Sequence, residues 1–181
     1  MDSGGAQNLF DLVEQHYALL YRYAFRLSGC AAEAEDLTQQ AFLIAQTKLS
    51  QLREASRAKA WLCSIVRNSY LKEIRTRACA PTTTLENIAE LASPTDAVST
   101  FDHEQLQNVL NDLPEEFRSP IILFYFEEFS YKEIADHMGV PIGTIMSRLA
   151  RAKAFLRQRL TEPDATTVQH DASLRRPDAT S

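Results

Sequence analysis

Between Ser130 and Lys153 the chain reads SYKEIADHMGVPIGTIMSRLARAK, and Thr144, Ser147, Arg148 and Arg151 stand there at spacings that let them project together from one helix. An Arg guanidinium can hold two acceptors on a guanine edge at once, and Ser or Thr hydroxyls can bind a phosphate or a base edge. Residues of these types suit duplex recognition rather than bond making. A second cluster, Arg67, Asn68, Lys72 and Arg75 with Trp61 and Tyr70, mixes cations with aromatic rings, as proteins that hold single-stranded nucleic acid do. Arg67 and Asn68 are its better contact candidates, being polar on a mostly apolar helix. Trp61 has Leu62 and Ile65 beside it at helical spacing and reads as core.

Groups that could catalyse a reaction do not assemble. His16, His103, His137 and His170 make no HExxH or other ligand spacing, and the chain has neither a P-loop nor a nucleophile elbow. His137 reads as a surface residue. Cys30, Cys63 and Cys79 are odd in number, widely spaced and without CxxC pairing, so they read as reduced thiols. No enzyme, cofactor or metal is expected.

The formal net charge of -5 argues against a polyanion partner until it is resolved by segment. Residues 53–77 hold seven cations against two acids, and residues 144–160 hold five cations and no acid. Residues 78–117 hold eight acids and neither Lys nor Arg. Two basic patches thus flank an acidic stretch, and a local basic face neutralises phosphates whatever the remainder of the chain carries.

The elements that must position these clusters are helical. Leu9, Val13, Tyr17, Leu20, Ala24 and Leu27 form a helical stripe over Asn8 to Ser28, widened by Phe10, Tyr21 and Phe25. A second helix from about Ala32 to Leu49 turns Leu37, Ala41, Ile44 and Ala45 inward and Glu35, Asp36, Gln39 and Gln40 outward. A third starts after Ser56 as N-cap and runs to about Arg77. Residues 79–100, rich in Thr, Ser, Pro and Ala, read as a flexible linker.

Beyond it come helices over Phe101 to Asn111, from Pro114 to about Glu127, over Ser130 to Met138, and to about Leu160. Ser130 with Glu133 has the form of a capping box, Gly139 suits a positive φ, and Ile145 and Leu149 lock the last helix onto its predecessor. This is a helix-turn-helix, and the N-terminal half of its second helix is the part that enters a major groove. The tail from Thr161 to Ser181 is expected to be disordered. The fold class is therefore all-α: two small helical domains, 8–78 and 101–160, joined by the linker, with the helix-turn-helix in the second. The apolar run from Pro120 to Phe126 is far shorter than the roughly 20 residues of a membrane span. The acidic N-terminus is unlike a secretory signal, so the cytoplasm is the expected compartment.

Taken together, AEDLTQQAFL, AWLCSIVRNSYLKEIR and the segment from LNDLPEEF to FLRQRL resemble the sigma-70 family of RNA polymerase sigma factors, in its extracytoplasmic-function group, over roughly residues 8–160. The resemblance implies a subunit that binds core RNA polymerase and directs promoter recognition without catalysing phosphodiester chemistry. It implies a core-polymerase contact at Asp36, Leu37, Gln39, Gln40 and Phe42, and capture of an extruded minus-10 base by the loop from Leu52 to Arg57, including Arg53 and Arg57, with Asn68, Lys72 and Arg75. It implies a minus-35 contact at Thr144, Ser147, Arg148, Arg151 and Lys153.

The acidic linker would lie in the RNA-exit path. Its 22 residues extend to at most about 75 Å, roughly two turns of DNA, so two readers can occupy separate promoter elements. Family members are commonly held inactive by an anti-sigma factor, which joins the expected partners and would clamp the two domains together. The chain departs from the family pattern at Ile44 and Gln46, where a basic residue and Trp are frequent, and at Met146, where Lys or Arg is common. A plain helix-turn-helix repressor would instead bind a symmetric duplex site alone, and the first domain favours the sigma reading.

Overall fold

The computed structural model describes residues 8–52, 54–79 and 100–161. Among these the structure is helical, with no strand: α1 (Leu9–Ser28), α2 (Ala31–Lys48), two 3-10 turns (Leu49–Gln51 and Ala55–Arg57), α3 (Ala58–Cys79), α4 (Thr100–Asn111), α5 (Glu115–Tyr125), α6 (Tyr131–Met138) and α7 (Ile142–Thr161). Arg53, most of the expected linker and the expected disordered tail beyond Thr161 lie outside the described residues.

The first unit is an antiparallel bundle. Asn8 caps α1, its side chain accepting the Asp11 amide at 2.9 Å, and Gly29 closes the helix at φ 74 with its N–H on the Phe25 carbonyl. The side chains that bury are Leu12, Leu20, Tyr23, Ala24 and Leu27. The expected stripe is therefore rotated in part: Phe10 and Tyr17 are exposed, and Tyr23 is wholly enclosed. α2 and α3 pack on α1 and on each other through Leu37, Ala41, Ala45, Leu62 and Val66. Ser56 does not cap α3, because it sits inside the second 3-10 turn, and the helix starts two residues later.

In the second unit, acidic Glu115 and Glu116 occupy the first turn of α5, the positive end of its dipole. α5 stops at Tyr125, two residues short of expectation, because Glu128 turns left-handed at φ 57 and sends the chain into α6. The capping box forms as read: Ser130 Oγ accepts the Glu133 amide, and the Glu133 carboxylate takes the Ser130 amide at 2.8 Å. Gly139 has φ 65, and Ile134, Ala135, Ile145 and Leu149 are buried between α6 and α7.

The two units also pack against each other. α1 meets α4 and α5, α3 meets α6, and one apolar core runs through both units. Gly29 permits this approach at one corner, since a Cβ there would lie 2.5 Å from the Asn111 side chain. Carbonyls at the end of α1, which no helical N–H can satisfy, are taken by the second unit: Arg118 donates to Leu27 O at 2.6 Å and Gln107 to Arg26 O at 3.2 Å.

Candidate nucleic-acid interface

The inner face of α7 is fixed by Ile145, Leu149 and Ala152, all buried, so the remainder of its first three turns projects outward. Ser147, Arg151 and Lys153 are exposed and Thr144 is half-buried. Ser147 Oγ donates to the Thr144 carbonyl at 2.9 Å, which leaves its lone pairs free. Arg148 lies lower on the flank, with Nη2 at 3.3 Å from Glu116 Oε2 on α5. That pairing steadies the guanidinium and also supplies a competing acceptor. Met146 and Ile142 are exposed on the same outward surface.

Asn68, Lys72 and Arg75 stand at i, i+4 and i+7 of α3 and are all exposed, so they make one polar row. Arg67 does not join it. Its guanidinium turns across the seam between the units and holds Glu115 with two bonds, Nε to Oε1 at 2.7 Å and Nη2 to Oε2 at 3.1 Å. Tyr70 is likewise withdrawn, nearly buried with its hydroxyl accepting from Arg118 at 3.0 Å. The sequence pattern placed Arg67 and Asn68 together as contact candidates, and the fold turns the first into the seam and the second out to solvent.

Arg57 is exposed in the loop that precedes α3, paired with Glu54 at 2.9 Å. Beside it opens a cleft of about 720 Å³, walled on one side by Leu52, Arg57 and Trp61 and on the other by Lys132, Asp136 and His137 of α6. Trp61 is thus only partly core, since its half-buried ring lines this cleft.

On α2, Asp36, Gln39 and Gln40 point outward, whereas Leu37 is wholly buried and Phe42 is 8% exposed. Leu37 and Phe42 therefore support the surface from beneath, Phe42 with its ring stacked on Tyr17 at 6.3 Å. The apolar side chain that α2 does present is Leu43, 64% exposed and one turn on from Gln39 and Gln40. Leu43 is the last residue of the AEDLTQQAFL motif, and only the phase of the buried face, Leu37, Ala41 and Ala45, reveals that it points out.

His137 is half-buried rather than free on the surface, one side of it facing the cleft. Its ring reaches into the seam, with Nδ1 at 2.9 Å from Ser64 Oγ, and lies edge-on to Tyr23 and Phe129. Ser64 Oγ lies within bonding distance of both the Ala60 carbonyl, at 2.9 Å, and the imidazole Nδ1, and Nε2 is buried without a partner. Burial first, and then the nearby Arg67 charge, lower its pKa to about 4. Glu127 is also enclosed. Desolvation raises its carboxyl above the ordinary value, opposed by Arg22, Lys59 and Arg26, and its backbone carbonyl accepts a bond from Lys59. Arg26 lies over the Phe126 ring at 3.7 Å. Among the described residues no group of three His, Cys, Asp or Glu side chains can hold a metal.

Both units match families of known proteins. The Sigma-70 region 2 family matches residues 12–79, and the Sigma-70, region 4 family matches residues 103–156. The chain is 34% identical over 165 residues to the ECF RNA polymerase sigma factor SigE of Mycolicibacterium smegmatis, which covers 88% of this chain and 64% of that protein. It is 33% identical over 159 residues to the ECF RNA polymerase sigma factor SigL of Mycobacterium tuberculosis, covering 86% and 90%. The solved sigma factor RpoE from Bartonella quintana, bound to the anti-sigma factor NepR, superimposes with a TM-score of 0.71 at 30% identity over 82% of this chain and 93% of that one.

Proposed function

This chain belongs to the sigma-70 family, in its extracytoplasmic-function group, and from that premise we propose that it binds core RNA polymerase and directs promoter recognition and transcription initiation at a specific regulon. The polymerase carries the chemistry, and this subunit is not an enzyme. The observation that carries the reading is the pairing in one chain of two outward polar surfaces on separate units. One is the row Asn68, Lys72 and Arg75 on α3, and the other is the exposed N-terminal half of α7.

The first unit, residues 8–78, holds core polymerase through Asp36, Gln39 and Gln40, with Leu43 as an apolar anchor and with Leu37 and Phe42 shaping the surface from below. Its α3 row and Arg57, with Arg53, bind the minus-10 element as single strand. Arg57, beside the cleft that Trp61 lines, suits an extruded base, whose unstacking costs a few kcal/mol that the contacts must offset. The second unit, residues 101–160, reads the minus-35 duplex with Thr144, Ser147, Arg148, Arg151 and Lys153. Two readers in contact cannot sit on promoter elements separated by turns of duplex at about 34 Å each. Promoter engagement therefore parts the seam, and residues 79–100 span the distance.

No helix among the described residues is long and apolar enough to cross a membrane, and the place of action is the cytoplasm, where polymerase and promoter are. An anti-sigma factor is the natural regulatory partner, as for the Bartonella quintana relative, and it would act by holding the two units closed. Reconstitution with core polymerase from the same source tests the whole reading. A stable complex that starts transcripts at fixed genomic positions is expected, whereas a symmetric duplex footprint by the protein alone, with no complex, would turn it into a repressor.

A further inference from the structure

The outward surface of α7 is divided lengthwise. Ser147 and Arg151 lie toward one flank, while Ile142, Met146 and Ala150, at i, i+4 and i+8, line the other. Ile142 is 46% exposed and Met146 is 53% exposed, and they leave a water-facing apolar stripe beside the Ser147 hydroxyl and the Arg151 guanidinium in the N-terminal half of the helix. Their exposure does not come from poor packing of the helix, because Ile145, Leu149 and Ala152 seat it fully. Gly143 beside them leaves open space where a Cβ would stand, so the backbone at this end can approach a surface closely.

What covers the stripe is set by its surroundings. From Gly139 to Thr161 the chain holds five cations and no acid; Arg148 and Arg159 pair with Glu116 and Asp112, and Arg151, Lys153 and Arg157 keep a basic field that draws a polyanion and repels a basic protein surface. A duplex offers one apolar group in its major groove, the 5-methyl of thymine, and an aliphatic side chain packs against it where a cation could not.

We propose that Met146, with Ile142 beside it, reads thymine methyl groups in the minus-35 element, making this pair a specificity determinant of the chain's promoter choice. The proposal rests on the minus-35 reading of α7 given above. Arg151 and Ser147 take polar edges and phosphates from the other flank, so the helix reads adjacent base pairs by two different chemistries. Replacing Met146 by a cation changes which base pair is preferred as well as how tightly DNA is held.

The test uses holoenzyme assembled from the full chain and core polymerase on a promoter taken from its own transcript map, with deoxyuridine replacing thymine at each minus-35 position in turn. Uracil pairs as thymine does and lacks only the methyl. Loss of one buried methyl is expected to weaken binding about 4-fold at one or two positions. Met146→Ala should bind the thymine promoter about as weakly and show no further loss with uracil at those positions. Wild-type binding that is indifferent to every thymine-to-uracil change, while a scrambled minus-35 element still abolishes it, would overturn the proposal and leave the minus-35 reading standing. A minus-35 element without any A·T pair would overturn it too. Indifference to the scrambled element would remove the minus-35 reading itself and the proposal with it.

Discussion

The Arg67 guanidinium and the Glu115 carboxylate meet across the seam between the two helical units with two bonds, at 2.7 and 3.1 Å, each side chain less than one fifth exposed. Glu115 Oε1 also accepts from Ser119 Oγ at 2.7 Å, and Ser119 is wholly buried. The Ser119 bond lies within α5 and holds the Glu115 carboxylate in place, while the Arg67 bonds to it last only as long as the units stay together. This pair turns one cation of α3 away from the exposed row of Asn68, Lys72 and Arg75 and into the seam. Such a pair confers geometry more than net stability, because two desolvated charges recover little beyond their lost hydration.

Breaking the pair on one side should therefore cost more than removing it. Glu115→Ala leaves Arg67 and Ser119 without an acceptor and is expected to destabilise the chain by about 2 kcal/mol, whereas Arg67→Met with Glu115→Leu should recover most of that loss. Urea midpoints at constant slope decide this, and equal losses in the single and double variants would contradict it.

Gly29 answers to two demands at once, a φ of 74 and an approach that puts a new Cβ 2.5 Å from the Asn111 side chain. Gly29→Ala should cost roughly 1–2 kcal/mol for the left-handed backbone. A further loss follows from Asn111 swinging away and releasing its bond from Gln107, now 3.0 Å. Adding Asn111→Ala to Gly29→Ala should relieve the clash alone, so the double variant unfolds at a lower urea concentration than Asn111→Ala by the backbone cost only.

Acid acts on the seam through His137, whose folded pKa of about 4 lies below the ordinary 6.5. Between these values the unfolded chain takes a proton that the folded chain refuses, because a protonated Nε2 would be buried without an acceptor. Stability is then intact above pH 6.5 and drains as the pH falls toward 4. Glu127 works the other way, since its raised carboxyl pKa keeps a proton in the folded chain and adds stability in acid that is lost as pH rises through that pKa. Comparing wild type with His137→Gln isolates the histidine. The wild type should lose about 1–2 kcal/mol more than the variant between pH 7 and pH 5 in thermal unfolding. Parallel curves would show that the imidazole is not held neutral.

Much of this was legible in the sequence where local rules and packing agree. Ser130 with Glu133, Gly139, and the pair Ile145 and Leu149 specify the helix-turn-helix by capping, backbone freedom and periodicity, and each holds in the fold. Two expectations that the fold redirects, at His137 and Arg67, share one cause, since the surroundings of these side chains come from the other unit. His137 is a polar residue on a short amphipathic helix and becomes buried only because α3 brings Ser64 and α1 brings Tyr23 against it. Arg67 looks like its neighbour Asn68 until Glu115, 48 residues later, claims it. On α2 the phase of the buried face puts Leu37 and Phe42 beneath the surface that Gln39 and Gln40 form, which the motif alone does not show.

The cysteines should separate by reactivity. Cys63 is wholly buried and burial, with Glu127 near, pushes its thiol pKa well above the ordinary value, whereas Cys30 is exposed at the start of α2. Mild alkylation of the native chain, read peptide by peptide, should label Cys30 within minutes and Cys63 only in denaturant. Early labelling of Cys63 would mean that the seam opens without polymerase.

Salt dependence tests where the phosphates are held. Each phosphate neutralised on a duplex contributes about 0.9 to the slope of log affinity against log salt, and about 0.7 on a single strand. Lys72→Ala, which removes one cation from the exposed α3 row, should flatten the holoenzyme's slope by about 0.7. Met146→Arg adds a cation to α7 where the chain has an exposed thioether, and should steepen the slope by about 0.9 if the new guanidinium reaches a phosphate. The two changes sit on different units, α3 and α7, so in one holoenzyme their slopes should add. A Lys72→Ala slope equal to that of wild type would place the minus-10 strand elsewhere than the Asn68, Lys72 and Arg75 row, and would shift its contacts toward the Arg57 loop and the cleft beside Trp61.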